Sequence, residues 1–295
     1  MSIAELEIAP RELYGLVAMS VMALLVIFEW SSGKYREGRK NLTDWKMFGL
    51  STAGVSLVER PLMALTVYFL ASSFIPEQQN ALRAFESANF WMCLIAFWLV
   101  DEFLHGLGHN FAHKKAPRNR LLAKVHSFYR EAHRGHHQLG GADGKGELSV
   151  TQTTVAGWGW LTILPNAWFG LFLMYLGFIE TWFWGTIVKS IWGMHVHTNW
   201  KYDLYLLNHS NRWVSGTMYA LCHVFTFPNQ HHQHHSRSQN SAKNMQNFLA
   251  LFDWLCWGTL AIEKKRPDIY GWRQSEKEQS SLYRYFYRGL KTARG

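Results

Sequence analysis

Every histidine of this 295-residue chain lies between His105 and His235, and both ends of the chain have none. Ten of the fifteen fall into three clusters: His105, His109 and His113; His133, His136 and His137; and His231, His232, His234 and His235. Any fold this chain adopts must therefore account for three imidazole-rich segments separated by long stretches of other composition. Spacings of three and four residues place side chains on one face of a helix. Imidazole is a common ligand of transition metals. His133, His136 and His137 have that spacing, and His231, His234 and His235 repeat it. His105, His109 and His113 form an i, i+4, i+8 line in which adjacent pairs can share an ion. His195 and His197 close the apolar stretch that precedes the third cluster. At least eight candidate ligands exceed the needs of one ion, so two metals are expected. His126, His209 and His223 each stand alone and are read as bystanders.

The segments between the clusters are apolar. A mean hydropathy of −0.14 suggests a soluble protein, but the average conceals segregation. Residues 13–28 are apolar except for Ser20. Residues 47–75 are longer and broken by Glu59, Arg60 and Pro61, and residues 88–100 run directly into Asp101. Residues 155–194 are mostly apolar, with Pro165, Gly177 and Glu180 as break points, and are long enough for two helices in a hairpin. A bilayer span needs about 20 residues at 1.5 Å each. Fifteen tryptophans, many at run ends, suit an aromatic belt. The alternative is a soluble helical enzyme, and four separate apolar stretches weigh against it. The first run lacks a small-residue cleavage site and reads as an anchor.

Charge placement gives an orientation. Lys34, Arg36, Arg39, Lys40 and Lys46 follow the first run, and Lys114, Lys115, Arg118, Arg120, Lys124, Arg130 and Arg134 follow the third. The loop between the second and third runs carries only Arg83 against Glu77 and Glu86. Under the positive-inside rule the N-terminus is outside, and the histidine clusters and C-terminus are cytoplasmic. The net charge of +9 is explained by basic segments beside anionic headgroups and needs no nucleic acid. Cys93, Cys222 and Cys256 are isolated among apolar residues and read as buried free thiols. Residues 140–146 are a loop by composition, and the aromatic and basic tail 283–288 suits a membrane surface. The expected fold is an all-α integral membrane protein with about five transmembrane helices and a cytoplasmic helical cap carrying a two-metal site. Its expected parts are residues 1–104, three spans; 105–154, the first two clusters; 155–194, the hairpin; and 195–295, the cap with the third cluster and basic tail.

An all-nitrogen donor set suits zinc, copper, iron or nickel. A structural zinc needs four ligands and no membrane, and no His-Glu-x-x-His of a zinc protease is present. A bis-histidine haem needs pairs facing each other within spans, whereas these flank the spans. The trio H-x-x-x-H, H-x-x-H-H and H-x-x-H-H, interleaved with apolar hairpins, resembles the histidine boxes of the di-iron membrane oxygenases. Residues 228–236, PNQHHQHHS, are similar to the third box of the fatty acid hydroxylase/sterol desaturase family, as is Phe252-Asp253-Trp254-Leu255 followed by Gly258-Thr259. His197-Thr198-Asn199 resembles the extra histidine which that family carries after its second hairpin. The long gap between the first two clusters and the wording around His105 and His136 look more like fatty acid desaturases and alkane monooxygenases.

The resemblance implies two irons per chain (zinc as a possible substitute) held by His105, His109, His113, His133, His136, His137, His197, His231, His234 and His235. It leaves open which two of the first three ligate. It also implies an O2-dependent hydroxylation or desaturation of a lipid-like substrate. Asp101, Glu102 and Asn199 are candidate partners for fixing the imidazole tautomers. No flavin, nicotinamide or haem-binding segment is visible, so electrons are expected from a donor such as a ferredoxin or cytochrome with its reductase. The acyl or sterol-like chain is expected to enter near Trp91, Trp98 and the stretch from Trp158 to Trp184. The competing class is a metal transporter or sensor, which would need ionisable residues within its spans. Only Glu59, Arg60, Glu180 and Lys189 qualify, and none adjoins a cluster in sequence.

Overall fold

A computed structural model of the chain describes residues 10–37, 40, 42–137, 147–155 and 159–271. Trp158, the loop 140–146 and the tail 283–288 lie outside the described residues. Among these residues there is no strand, only an isolated bridge between Ser236 and Tyr270. Thirteen α-helices follow one another: α1 Pro10–Ser31, α2 Lys34–Glu37, α3 Leu42–Gly54, α4 Arg60–Phe74, α5 Arg83–His113, α6 Arg120–His137, α7 Trp160–Ile163, α8 Pro165–Leu176, α9 Ile179–His197, α10 Tyr202–Leu207, α11 Arg212–Val224, α12 Pro228–His234 and α13 Leu251–Leu255.

Among the described residues, three helices are long and apolar enough to cross a membrane: Glu12–Ser31, Asp44–Phe74 and Arg83–His113. Only 6% of the apolar window of the second is buried. An apolar helix exposed on nearly all sides loses its driving force in water and fits lipid instead. The break expected at Glu59, Arg60 and Pro61 does not end this helix. A π turn, Val55–Glu59, joins α3 to α4. Pro61 cannot donate to residue 57, and its ring crowds that carbonyl, so a widened turn accommodates it without a break.

The hairpin expected within residues 155–194 forms, but its arms differ. α8 has 12 residues and reaches about 18 Å, short of the ~30 Å hydrocarbon core, whereas α9 has 19 and reaches about 28 Å. Gly177 turns the chain between them at φ 107°, where an added Cβ would meet the Arg83 backbone nitrogen at 2.9 Å. Gly185 lets α9 close on α5, since a Cβ there would lie 2.4 Å from the Phe97 ring. Such small residues permit the close backbone approach that packs helices in lipid. α1 packs on α9 through Tyr14, Ala18, Met22, Trp182, Phe183, Ile187 and Met194.

The helix directions bring the three histidine segments to one end. α1 ends there, where Glu29 accepts the Val150 and Asn199 backbone N–H groups at 3.1 and 2.9 Å. α5 and α9 arrive there with His113 and His197. Residues 75–82 lie at the other end, with Asn80 and Leu82 donating to Tyr175 and Leu176 of α8.

Two expectations need correction. Cys256 is exposed, unlike buried Cys93 and Cys222, although all three are free. Lys189 is remote from the histidines only in sequence. Its ammonium pairs with Asp101, and with Glu102 at 2.6 Å, one helical turn before His105.

Candidate metal centre

Nine histidines converge in two groups, within each of which the ligand atoms lie inside 4.8 Å of one another. The first is His109, His113, His133, His137 and His234; the second is His136, His197, His231 and His235. α5 contributes His109 and His113 from one face. In α6, His133 and His137 are one turn apart and join the first group, while His136 is rotated from them and joins the second. α12 mirrors this: His231 and, just past the helix end, His235 join the second group, and His234 joins the first. Each H-x-x-H-H motif thus feeds both groups, and the groups touch. The rings of His137 and His235 stack with centroids 4.3 Å apart.

Backbone carbonyls fix the tautomers. The Nδ1–H groups of His109, His136, His197 and His234 donate to the carbonyls of Met245 (2.5 Å), Val155 (2.9 Å), Gly193 (2.5 Å) and Lys243 (2.9 Å). In a neutral imidazole a donating Nδ1 leaves Nε2 bare. His136 and His197 therefore turn two bare Nε2 atoms toward each other at 3.2 Å. Two lone pairs at that distance repel unless a cation lies between them. The neighbouring Nε2 separations are 2.9 Å for His197 to His231 and 3.1 Å for His231 to His235. A metal with nitrogen bonds of about 2.1 Å sets its donors roughly 3 Å apart, so this spacing fits the donors of one ion. In the first group His109 and His133 approach at 2.8 Å, and His133 and His137 at 2.9 Å. The Nε2 of His234 is buried with no hydrogen-bond partner.

The protons follow the same logic. Burial, reinforced by neighbouring imidazoles, holds His133, His137, His231, His234 and His235 well below the usual histidine range. Burial lowers His136 to about 4. These rings are neutral lone-pair donors at physiological pH, the form that binds metal. The unfolded chain binds protons near pH 6.5 that the folded chain refuses, so stability rises with pH across that window. The thermal midpoint of metal-free protein in detergent is expected to fall as pH drops from 7 toward 5. A flat profile would contradict the buried neutral cluster.

Of the ten expected ligands, His105 alone joins neither group. It is buried one turn from His109, with ring centroids 5.2 Å apart, and its Nε2 has no hydrogen-bond partner. Asp101 and Asn199 do not orient imidazoles. Asp101 is held by Lys189 and Asn166, and Asn199 by the carboxylates of Glu29 and Glu147. Carbonyls replace them because helix ends and loops offer acceptors at the required depth without burying another charge.

The remaining histidines have other partners. His126 reaches the Lys114 carbonyl at 2.9 Å, and His209 accepts the Asn211 N–H at 3.1 Å. His223 contacts the Tyr219 carbonyl, and His195 the Tyr202 hydroxyl. His232 bridges the Tyr270 hydroxyl and the Thr198 carbonyl, bracing the residue after His197.

Three further residues support the centre, and of these Trp160 had no sequence signal marking it as a histidine partner. Trp160 stacks on His133 with centroids 4.3 Å apart. Glu102 accepts the Phe248 and Leu249 N–H groups, tying α5 to the segment after α12. Asp253 accepts the Met245 N–H at 2.8 Å and that of Gln246 at 3.2 Å, which positions the carbonyl that His109 uses. Comparison with protein-family models, curated proteins and solved structures returns no match.

Proposed function

We propose that this chain is a membrane-bound, non-haem di-iron oxygenase that hydroxylates or desaturates a C–H bond of a lipid-like substrate. It would use O2 and electrons from a separate donor such as a ferredoxin or cytochrome. The observation that carries the reading is the pair of adjacent, buried, all-nitrogen groups, with bare Nε2 atoms of His136 and His197 facing each other. Nine donors in two adjoining groups exceed the four of one structural zinc site. The histidine-box spacing agrees with the oxygenase resemblance, and three helices long and apolar enough to cross a membrane support a lipid-side reading of the centre. Iron in such a site supplies, when bound, the reduction of dioxygen and the oxidation of a C–H bond.

The chain's own residues would hold the ions, exclude water and set the approach of the substrate. Eight of the nine imidazoles are buried, and Trp160 covers His133. We read five spans, with α8 completing its crossing together with the turns that flank it. The N-terminus is then outside, and the metal end and C-terminus are cytoplasmic. A reporter after residue 295 is expected to read cytoplasmic and one within residues 77–82 external. Opposite sides for residues 147–155 and the C-terminus would break the reading.

The direct test is metal and product together. Protein reconstituted anaerobically with ferrous iron is expected to hold about two irons per chain. Lipid extracts of cells expressing it should contain a species that has gained one oxygen or lost two hydrogens. One iron or none after reconstitution would sink the di-iron reading. Two irons without a lipid product would move the reading toward metal storage or transport.

A further inference from the structure

Helix α6 is divided along its length. In its second half Ala132, His133, His136 and His137 are buried, as is His126 before them. In its first half Leu121, Leu122, Val125 and Phe128 lie along one side and are 71, 50, 41 and 52% exposed. Lys124 and Ser127 lie beside them, turned away from that side and also exposed. Lys115, Arg118 and Arg120 stand exposed around the helix start, where the Asn119 side chain accepts the Leu121 and Leu122 N–H groups. Among the described residues Lys115, Arg118, Arg120 and Lys124 make no ion pair. A helix that carries an apolar stripe beside basic residues is too polar to span a bilayer and suits its surface.

The stripe continues into the lipid-facing surface. An added Cβ at Gly159 would lie 3.1 Å from the Phe128 ring. The Gly159 N–H donates to Glu59 at 3.1 Å, and Glu59 closes the π turn within the candidate span Asp44–Phe74. Leu57 and Leu62, on either side of Glu59, are 74 and 58% exposed. The ring of Tyr129, the next residue, lies 5.2 Å from that of Phe111, between His109 and His113 of α5, so Phe128 stands near the metal end of the apolar helices with the basic residues beside it.

We propose that α6 lies in the plane of the bilayer surface. Leu121, Leu122, Val125 and Phe128 enter the acyl boundary, and Lys115, Arg118, Arg120 and Lys124 bind anionic lipid headgroups. This rests on the reading of the apolar helices as membrane spans. One helix then carries the lipid contact in its first half and ligands of both metal groups in its second. Anionic lipid would hold the centre at a fixed depth.

The test uses the full chain in nanodiscs, in a Cys256→Ser background that removes the exposed thiol. Spin labels are placed through Phe128→Cys, Val125→Cys and Ser127→Cys, with Phe69→Cys on α4 as the span control. Collision with oxygen, which partitions into lipid, is compared with collision with a nickel chelate, which does not. The oxygen-to-nickel ratio at Phe128 and Val125 is expected to exceed that at Ser127 severalfold. It should rise when phosphatidylglycerol is added to phosphatidylcholine. The combined Arg118→Gln, Arg120→Gln and Lys124→Gln variant should lose that rise.

A lipid-like ratio at Phe69 with a water-like ratio at Phe128 would overturn the α6 proposal alone. Water-like ratios at both would overturn the span reading beneath it. A ratio indifferent to lipid charge would overturn the headgroup contact. Nickel protection at Phe128 only after adding an acidic redox protein would assign this face to a protein partner instead.

Discussion

Replacing His136 with alanine should empty one metal site, whereas replacing its neighbour His137 should weaken the other. His136 belongs to the four-donor group and His137 to the five-donor group. Loss of one donor leaves the second group with three nitrogens and the first with four. His136→Ala is therefore expected to cost more metal than His137→Ala, although in the proposed oxygenase turnover would need both ions and should vanish in each. Outer partners of metal ligands cost about 10–100-fold in affinity when mutated, and loss of a ligand should cost at least that. The same contrast is expected for His235→Ala against His234→Ala. His126→Ala and His209→Ala should retain metal, since their contacts are with the Lys114 carbonyl and the Asn211 N–H. Metal analysis per chain beside turnover decides it. Equal metal loss from His136→Ala and His137→Ala would mean the two groups are not separate sites.

The centre was legible in the sequence where helical periodicity carried it. Spacings of three and four residues mark His133, His136, His137, His231, His234 and His235, because a helix has only one face to offer each spacing. Periodicity also explains the ambiguity at His105. An i, i+4, i+8 line is nearly straight, and whether its first or last member reaches the groups depends on where α6 and α12 cross α5. The division of each H-x-x-H-H motif between two groups was not legible, since it depends on the approach of a second helix to the first. The tautomer partners were misread for a related reason. Carboxylates stand out in a sequence, whereas the carbonyls of Met245, Val155, Gly193 and Lys243 belong to residues of any type. Length along the chain also misled about Lys189, which reaches Glu102 only because Gly185 lets α9 lie close to α5. The helices long enough to span a membrane were legible as apolar runs, but the 12-residue length of α8 depends on where Pro165 and Gly177 cut the run.

Glu29→Gln is expected to strip metal from the second group, although Glu29 touches no histidine. Its two carboxylate oxygens accept the Val150 and Asn199 N–H groups, and its side chain is fully buried. Val150 opens the segment whose Gln152 side chain donates to the His136 carbonyl and whose Val155 carbonyl receives the His136 Nδ1–H. Asn199 lies two residues beyond His197. One carboxylate at the end of α1 thus fixes the backbones that carry His136 and His197, the pair whose bare Nε2 atoms face each other. Glutamine offers one acceptor and turns its amide donor toward the other N–H. A buried donor left unpaired costs ~1–3 kcal/mol, enough to loosen that segment without unfolding the chain. The variant should insert normally and keep the metal of the first group, while metal content falls toward one per chain and turnover is lost. Glu29→Ala should lower the thermal midpoint further, because both N–H groups lose their acceptor. If Glu29→Gln kept both metals and full turnover, the ends of α1 and α9 would not set the geometry of the centre, and His136 and His197 would be positioned by their own carbonyl bonds alone.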